Sequence, residues 1–292
     1  MKSNVYFTRT ITPEKVVELY RALGVTLPGK VAVKVHSGEK GNQNFLHPDF
    51  WKPMVEAVNG TIVECNTAYG DASGGVRDNT DSHWKLMEEH GWTKDFTVDI
   101  MDAEGPDVVW PIPNGKILKE NHLGKNIENY DSMLVLAHFK GHPMGGYGGA
   151  LKQLSIGCAS RAGKALIHSA GKTDDRYKTW EQHASPVEFP EAMADAAESV
   201  VAHFKGKIAY INVMKNLSVD CDCCAVAEDP ACRISASSPL WTRLRLTRPA
   251  LTWSCSRPTP ARSILWSGST AATASTPLKP QRNWAPAAGN IR

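Results

Sequence analysis

The stretch SMLVLAHFK, residues 132–140, decides the fold, because five consecutive apolar residues in it end at a histidine. Such a short, continuous apolar run is typical of a strand buried on both faces of a parallel sheet. Two similar runs are KVAVKVHS at 30–37 and KIAYINVM at 207–214. Helical patterns such as PEAMADAAESVVAHF at 190–204 alternate with these runs. The sequence therefore predicts an α/β fold with a mostly parallel sheet and helices on both faces.

The first helix carries signals at both of its ends. Thr12 is a candidate N-cap, Pro13 suits the first helical position, and Gly24 follows the last periodic residue. These three residues predict a helix between Thr12 and Gly24.

Charge divides the chain into two parts. Residues 232–292 contain nine Lys or Arg and no Asp or Glu, whereas residues 1–231 contain 24 basic and 30 acidic residues, a net charge of −6. The basic balance of the whole chain therefore comes from the tail alone, and we expect no nucleic-acid partner. We assign 1–231 to one α/β domain and 232–292 to a tail outside it.

We interpret the tail as the product of a shifted reading frame. It shows neither helical nor strand periodicity, yet it contains tryptophans, which disordered tails rarely hold. In the frame one base earlier, the codons of Trp241 and Thr242 contain an Asp codon. Free choice of degenerate bases lets Ala231 to Trp253 spell MPDIGILASVDPVAIDQACLDLV, a pattern of strand, Asp-Pro turn and helix. We therefore expect a truncated domain followed by a disordered, non-native tail.

Signals for export or membrane insertion are lacking in this sequence. There is no run of about 20 apolar residues, and the opening MKSNVYFTRTITPEK has no apolar signal core. Seven unevenly spread cysteines do not form a secreted disulfide pattern in a chain of 292 residues. We expect a cytoplasmic protein with no membrane partner.

Polar side chains follow the predicted strands, at the edge where parallel sheets bind ligands. Lys34 and His36 follow the first apolar run and share a face, because they are two residues apart. His138 ends the most apolar run. Amine and imidazole groups at this edge suit general acid–base chemistry, so Lys34, His36 and His138 are the candidate catalytic residues. A structural role is the alternative for each histidine.

A glycine-rich turn, GHPMGGYGGALK at 141–152, precedes a predicted helix. Backbone N–H groups at a helix N-terminus bind anions, and flanking lysines add positive charge. A tight strand-to-helix turn is the alternative, because the sequence is neither a P-loop nor a dinucleotide fingerprint. The candidate residues for binding a cofactor or a small anion are Arg77, Lys140, Gly145, Gly146, Gly148, Gly149 and Lys152.

Four cysteines are the candidate metal ligands. Cys221, Cys223 and Cys224 lie together in VDCDCC, and Cys158 lies near two basic residues that favour its thiolate. Thiolates this close suit an iron–sulfur cluster or, as the alternative, zinc. The spacing matches neither a ferredoxin nor a zinc-finger pattern, so a redox thiol and a purely structural role stay open.

Four segments resemble the domain-of-unknown-function 362 family of bacteria and archaea, whose members are often titled iron–sulfur centre proteins. They are KVAVKVHSGEKGN (30–42), NTAYGDASGGVRDNTDSHWKLMEEHG (66–91), GHPMGGYGGALKQLSIGCASRAGKALIHS (141–169) and NLSVDCDCC (216–224). The resemblance extends over about residues 2–231 and implies an iron–sulfur cluster. The shifted-frame text is also similar to the family's usual continuation.

Two departures from the family pattern bear on that implied cluster. Many members carry a ferredoxin-type insert with regular cysteines after the position of His168 and Ser169, whereas the segment that follows here contains no cysteine. The family's closing segment, with its Asp-Pro turn, is also missing from this chain.

Two functions compete for these residues. The leading one is an iron–sulfur or other thiolate–metal binding protein that serves redox or electron transfer with a redox partner. The alternative is an isomerase or lyase that acts on a small anionic substrate, a carboxylate or phosphate, with Lys and His as acid–base groups. The sequence leaves open whether the protein is an enzyme.

Restoring the native frame should stabilise the protein. We expect the lost strand and helix to cover a sheet edge and an apolar face that this chain leaves exposed. Frame-restored protein should therefore give a higher soluble yield and a higher Tm in a thermal unfolding scan. Sequencing the gene provides the direct check, and codons that cannot spell the shifted text would contradict the interpretation.

Overall fold

The computed structural model describes residues 5–70 and 75–229, and the backbone of 251–252 and 265–266. The helices of this described part are α1 (Pro13–Ala22), α2 (Pro48–Val58), α3 (Thr80–Glu89), α4 (Trp92–Asp95), α5 (Ala150–Ser155), α6 (Arg161–His168) and α7 (Glu188–Phe204), with a 3₁₀ helix at Lys125–Asn129. The strands are β1 (Val31–Lys34), β2 (Thr61–Glu64), β3 (Val98–Ile100), β4 (Val108–Pro111), β5 (Glu120–Leu123), β6 (Ser132–His138), β7 (Lys140–His142), β8 (Gly146–Gly148), β9 (Ile208–Val213), β10 (Leu251–Thr252) and β11 (Leu265–Trp266).

Five parallel strands form the central sheet, in the order β3-β2-β1-β6-β9. In its centre, β6 pairs with β1, where Leu134 lies opposite Val33, and with β9, where Leu136 lies opposite Ile211. All residues of β6 are buried, which explains its continuous apolar run. The predicted α/β fold with a parallel sheet is confirmed.

Helices cover both faces of this sheet, and β6 shows why. Its residues alternate between two apolar clusters, as the two-residue period of a strand requires. Leu134 and Leu136 pack in the cluster that contains Trp51 and Met54 of α2. Met133, Val135 and Ala137 pack in the cluster to which α5 contributes Leu154 and α7 contributes Val200 and Phe204.

The helix α1 begins and ends where the local signals predict. Thr12 caps it by accepting a hydrogen bond from the Lys15 N–H at 3.3 Å, and Pro13 is its first residue. Gly24, just past the end, has a φ of +62°, which favours glycine.

Small antiparallel pairs complete the described structure, namely β4 with β5, β7 with β8, and β10 with β11. The last pair belongs to the tail, and the other residues from 230 onward lie outside the described part. The expected disorder of the tail and the domain boundary at 231 therefore stay predictions. Within the described part, no helix is both long and apolar enough to cross a membrane.

Protonation of His83 should destabilise the protein in mild acid. Burial, helped by the charge of Arg77, lowers the pKa of His83 to about 3, whereas an unfolded histidine has a pKa of about 6.5. Between these values the unfolded chain binds more protons, so stability falls as the pH falls through this window. By pH ~4.5, this one group should remove about 2–3 kcal/mol.

Urea unfolding of wild type and His83→Gln across this pH range measures that contribution. The variant should lose part of the pH dependence, while His183→Gln, at an exposed position, should keep all of it. Identical pH slopes in wild type and His83→Gln would contradict the prediction.

Candidate metal centre

Buried polar residues end three neighbouring strands at the carboxyl edge of the sheet. β1 ends with Lys34, β2 with Glu64 and β6 with His138, and all three side chains are buried. The order of strands along the chain reverses between β1 and β6, and open α/β sheets bind ligands outside such a switch point. The topology therefore favours a ligand site at this edge of the sheet.

Three residues form a candidate metal-binding group beyond this edge. One ligand atom from each of His142, Cys221 and Cys223 lies within 4.8 Å of the other two. His142 ends β7, and the cysteines belong to the loop that follows β9. His142 and Cys221 are buried, and Cys223 is partly exposed. Thiolate and imidazole are the donors that zinc and iron use in proteins.

The cysteine loop, residues 218–224, lies directly against β7. The Gly141 N–H donates to the Ser218 carbonyl at 2.9 Å. A Cβ at Gly141 would lie 1.9 Å from the Val219 carbonyl oxygen, so the loop can approach this closely only because the residue is glycine. This approach brings the cysteines to the end of β7, where His142 lies.

Side chains from other loops hold the opposite side of the cysteine loop. The Tyr69 hydroxyl donates to the Cys223 carbonyl at 2.8 Å, and the Asn42 amide donates to the Cys224 carbonyl at 2.8 Å. These two hydrogen bonds thus hold the backbone around the sulfur atoms.

Asp222, between the two cysteines, is the buried anchor of the loop. Its carboxylate lies 2.9 Å from His138 Nδ1 and 2.7 Å from Lys140 Nζ. Burial raises the pKa of Asp222, but the charges of Lys140 and His138 outweigh it and hold the pKa well below its ordinary range. His138 Nε2 lies 2.6 Å from the Lys215 carbonyl, so both ring nitrogens face oxygen acceptors. His138 and Lys140 therefore position the loop, and their catalytic and cofactor-binding roles stay predictions.

Lys152 brings a positive charge to the sulfur atoms. Its ammonium lies 2.9 Å from Cys221 Sγ and 3.8 Å from Cys223 Sγ. Burial lowers the pKa of Lys152, but the two sulfur atoms more than offset this, and the pKa is raised. The hydrogen bond with Cys223, together with burial, raises the pKa of Cys221 well above its ordinary value. The Lys152 ammonium therefore keeps its charge next to the two sulfur atoms.

The ring of His142 is held by the glycine-rich turn. Its Nδ1 accepts hydrogen bonds from the N–H of Gly145 at 2.9 Å and of Met144 at 3.2 Å. Burial, together with the charge of Lys152, lowers the pKa of His142 well below its ordinary value, so the ring is neutral. Because Nδ1 is an acceptor, the proton of this neutral ring lies on Nε2.

The glycines predicted to bind an anion are distributed over the turn. Gly146 and Gly148 belong to β8, and Gly149 is the residue that precedes α5. The N–H of Gly145 is already engaged by His142. Anion binding by these four glycines stays a prediction.

The remaining predicted edge residues lie in or beside buried ion pairs. Lys34 Nζ lies 2.5 Å from Glu64, and Arg77 Nε lies 3.0 Å from Glu39. Burial raises the pKa of Glu64, but Lys34 and Arg77 outweigh this effect and lower it to about 2. His36 is partly exposed, and burial together with the charge of Arg77 lowers its pKa well below the ordinary value.

Cys158 and Cys224, also predicted as ligands, do not belong to the three-residue group. Cys158 Sγ donates to the Gln153 carbonyl at 3.4 Å, and burial raises its pKa to about 11. Cys224 is partly buried beside Cys223, and the hydrogen bond between the two thiols lowers the pKa of Cys224. Metal ligation by Cys158 and Cys224 stays a prediction.

Sequence reasoning missed His142 as a candidate ligand and Asp222 as the anchor. A signal for His142 was available, because it lies two residues after Lys140 on a short strand and therefore shares its buried face. Asp222 lies between two cysteines in the chain. Its partners, His138 and Lys140, could be identified only once the structure showed the loop next to the end of β6.

Lys34→Met should unfold the protein more easily because it leaves the buried Glu64 carboxylate without its cation. Breaking a buried ion pair from one side typically costs about 3–5 kcal/mol. The double variant Lys34→Met/Glu64→Gln should recover part of this loss, since no uncompensated charge remains.

Urea unfolding of the two single variants and the double variant forms the cycle that tests this prediction. Lys15→Met is a suitable control, because its ion pair with Glu18 is exposed and should contribute little. A Lys34→Met variant as stable as the control would contradict the structural role of the pair.

Comparisons with known proteins find one matching family model and two solved structures with low similarity. The family model described as "Domain of unknown function (DUF362)" matches residues 31–238, and no curated protein matches the chain. A Thermotoga maritima protein of solved structure is 12% identical over 82% of this chain and 55% of its own, with a TM-score of 0.43. The lactate racemase apoprotein from Thermoanaerobacterium thermosaccharolyticum is 13% identical over 73% and 51%, with a TM-score of 0.40.

The chain spans about half the length of these two solved structures. Their TM-scores are too low to support any statement about this chain. The family match is different, because it covers most of the sequence and includes the whole candidate metal-binding group. By that match, this chain belongs to the DUF362 family.

Proposed function

We propose that the protein binds a single divalent metal ion through Cys221 and Cys223, with His142 as the third donor, and that Zn²⁺ is the first candidate. The observation that carries the proposal is the meeting of three ligand atoms within 4.8 Å of one another. They come from two segments distant in sequence, which the fold brings together. Cys221 and Cys223 come from the loop after β9, and His142 comes from β7.

The donor set favours one ion over a cluster. Two cysteines and one histidine make up the three protein ligands of some catalytic zinc sites, which leave a fourth position open. A four-iron cluster usually takes four thiolates, and the described group offers two. Iron bound by the same three residues would support the redox role expected from the sequence, whereas zinc has no redox chemistry.

The two thiolates are the stronger part of this donor set. A metal-bound histidine usually donates its other ring N–H to an acceptor, but His142 Nδ1 accepts from the Gly145 N–H instead. Metal binding at Nε2 therefore requires this turn to rearrange. The raised pKa of Cys221 has a second consequence, because the metal must displace the thiol proton and binds more tightly as the pH rises.

The open position of such a centre suits a small anion. Lys152 lies beside the sulfur atoms, and its charge and those of Arg77 and Lys140 act on His36. A metal acting as Lewis acid, with the Lys152 ammonium beside its ligands, would support the isomerase or lyase hypothesis for a carboxylate or phosphate substrate. The isomerase or lyase hypothesis therefore depends on the metal proposal and should be tested after it.

Metal analysis of protein purified anaerobically tests the proposal. We expect one zinc per chain by inductively coupled plasma mass spectrometry. Cys221→Ser and Cys223→Ser should each weaken metal binding by more than about 100-fold, because removal of an outer contact alone already costs 10–100-fold. His142→Ala should weaken metal binding by only about tenfold, because the turn that holds its ring must rearrange before the ring can bind. The matched controls are Cys224→Ser, next to Cys223, and Cys158→Ser, which should retain the metal.

Several results would overturn the single-ion proposal. Brown protein with several irons and inorganic sulfide per chain, lost in Cys224→Ser or Cys158→Ser, would instead support an iron–sulfur cluster. Folded wild type that takes up neither zinc nor iron would exclude a metal centre and leave the dithiol with a redox or structural role.

A further inference from the structure

A second group of buried polar side chains lies outside the candidate metal centre. Lys164 of α6 is 6% exposed, and Asp102, two residues beyond β3, is 8% exposed. Lys164 and Asp102 carry opposite charges when ionised, and each changes the pKa of the other. The pKa of the Cys65 thiol, which directly follows β2, is also changed by both charges.

Lys164 and Asp102 do not form an ion pair with each other. The Lys164 ammonium donates to the Ala159 carbonyl at 2.5 Å, and no carboxylate oxygen of the described residues lies within 4.0 Å of it. An ammonium has three N–H donors. Two donors of a nearly buried cation thus have no partner in the described part of the chain, which is costly.

Asp102 lacks a hydrogen-bond donor for one of its two carboxylate oxygens among the described residues. Its Oδ1 accepts a hydrogen bond from the Asn66 N–H at 2.8 Å, whereas its Oδ2 is buried and has no partner among the described residues. Unsatisfied buried polar atoms are rare in native proteins and usually indicate a missing water, ion or ligand. Because the charges of Lys164 and Asp102 act on each other, one small ligand in contact with both could satisfy both residues.

We propose that Lys164 and Asp102 form a binding site for a small carboxylate, separate from the metal centre. A carboxylate supplies the negative charge and the acceptors that Lys164 lacks. Burial raises the pKa of Asp102, and a protonated Asp102 would donate its Oδ2–H to the second ligand oxygen.

The surroundings of Lys164 and Asp102 combine closely packed backbone with exposed residues. A Cβ on Gly163, beside Lys164, would lie 1.9 Å from the His122 carbonyl oxygen, so α6 packs closely against β5 here. Arg161, one turn before Lys164, is exposed and its charge acts on Asp102. Residues 103–106, which follow Asp102, are exposed as well. An anion can therefore approach from the surface past a guanidinium group.

Thermal unfolding of metal-free, full-length protein with sodium acetate, against sodium chloride at equal ionic strength, tests this site. Acetate at about ten times its Kd should raise the Tm of wild type by about 3 °C. Acetamide, which has the same shape without the charge, should not. Lys164→Met should abolish the acetate effect and should also raise the Tm in acetate-free buffer, because it removes an unpaired buried charge.

Further variants keep the test decisive if Lys164→Met folds poorly. Lys164→Gln should behave in the same way, and Asp102→Asn should retain the acetate effect, because its amide still donates. Absence of any acetate effect in wild type would overturn the proposal and indicate an ordered water only. An effect that survives both Lys164 variants but disappears in Lys152→Met would also overturn it, since the anion would then bind at the metal centre.

The acetate test does not depend on the metal proposal. It uses metal-free protein, and Cys221→Ser should keep the acetate effect in full. Loss of zinc binding with a retained acetate effect, or the reverse, therefore identifies which of the two proposals has failed.

Discussion

The buried carboxylate of Asp222 is the constraint on which the candidate metal centre depends. A carboxylate can be buried only when cations or hydrogen-bond donors compensate for its lost hydration, and His138 and Lys140 provide this compensation. Both belong to the end of β6 and the start of β7. Because Asp222 lies between Cys221 and Cys223 in the chain, fixing this one carboxylate fixes both sulfur atoms relative to the sheet and to His142.

The same compensation operates along the whole carboxyl edge of the sheet. Lys34 is paired with Glu64, Arg77 with Glu39, and Lys140 with Asp222, and each of these pairs is buried. Such pairs contribute little net stability relative to apolar residues, but they penalise any arrangement in which one partner is displaced. Together they hold the edge in one geometry, which is the preorganisation that a binding site needs.

The fold could be predicted from the sequence because periodicity reports burial directly. The apolar run before His138 belongs to a strand that is buried on both faces, and that run alone indicates a parallel sheet. Thr12 and Gly24 mark helix ends through local backbone chemistry, which needs no tertiary context. Cys221, Cys223 and Cys224 were recognisable as a close group of cysteines, but the sequence did not indicate which of the adjacent pair joins Cys221.

The partners of the site residues could not be predicted, because they depend on long-range packing. His138 and Asp222 are 84 residues apart in the chain, and Lys34 and Glu64 are 30 apart. Residue type suggests that a buried lysine needs a counter-charge, but not which carboxylate supplies it. Lys34 and His138 both lie in buried ion pairs that the sequence could not indicate, and their catalytic roles stay predictions.

Lys152 and Lys164, which have no carboxylate partner among the described residues, are therefore the informative lysines at this end of the sheet. Lys152 lies next to two sulfur atoms. Lys164 donates to a backbone carbonyl, and its charge acts on Asp102, which has one unpaired oxygen among the described residues. The sulfur atoms are soft donors that favour a metal, whereas the unpaired ammonium and the carboxyl of Asp102 are hard groups that favour an oxyanion. An isolated buried cation costs stability unless a partner compensates for its lost hydration. At Lys152 a thiolate pair can supply that compensation, and at Lys164 the proposed carboxylate would supply it.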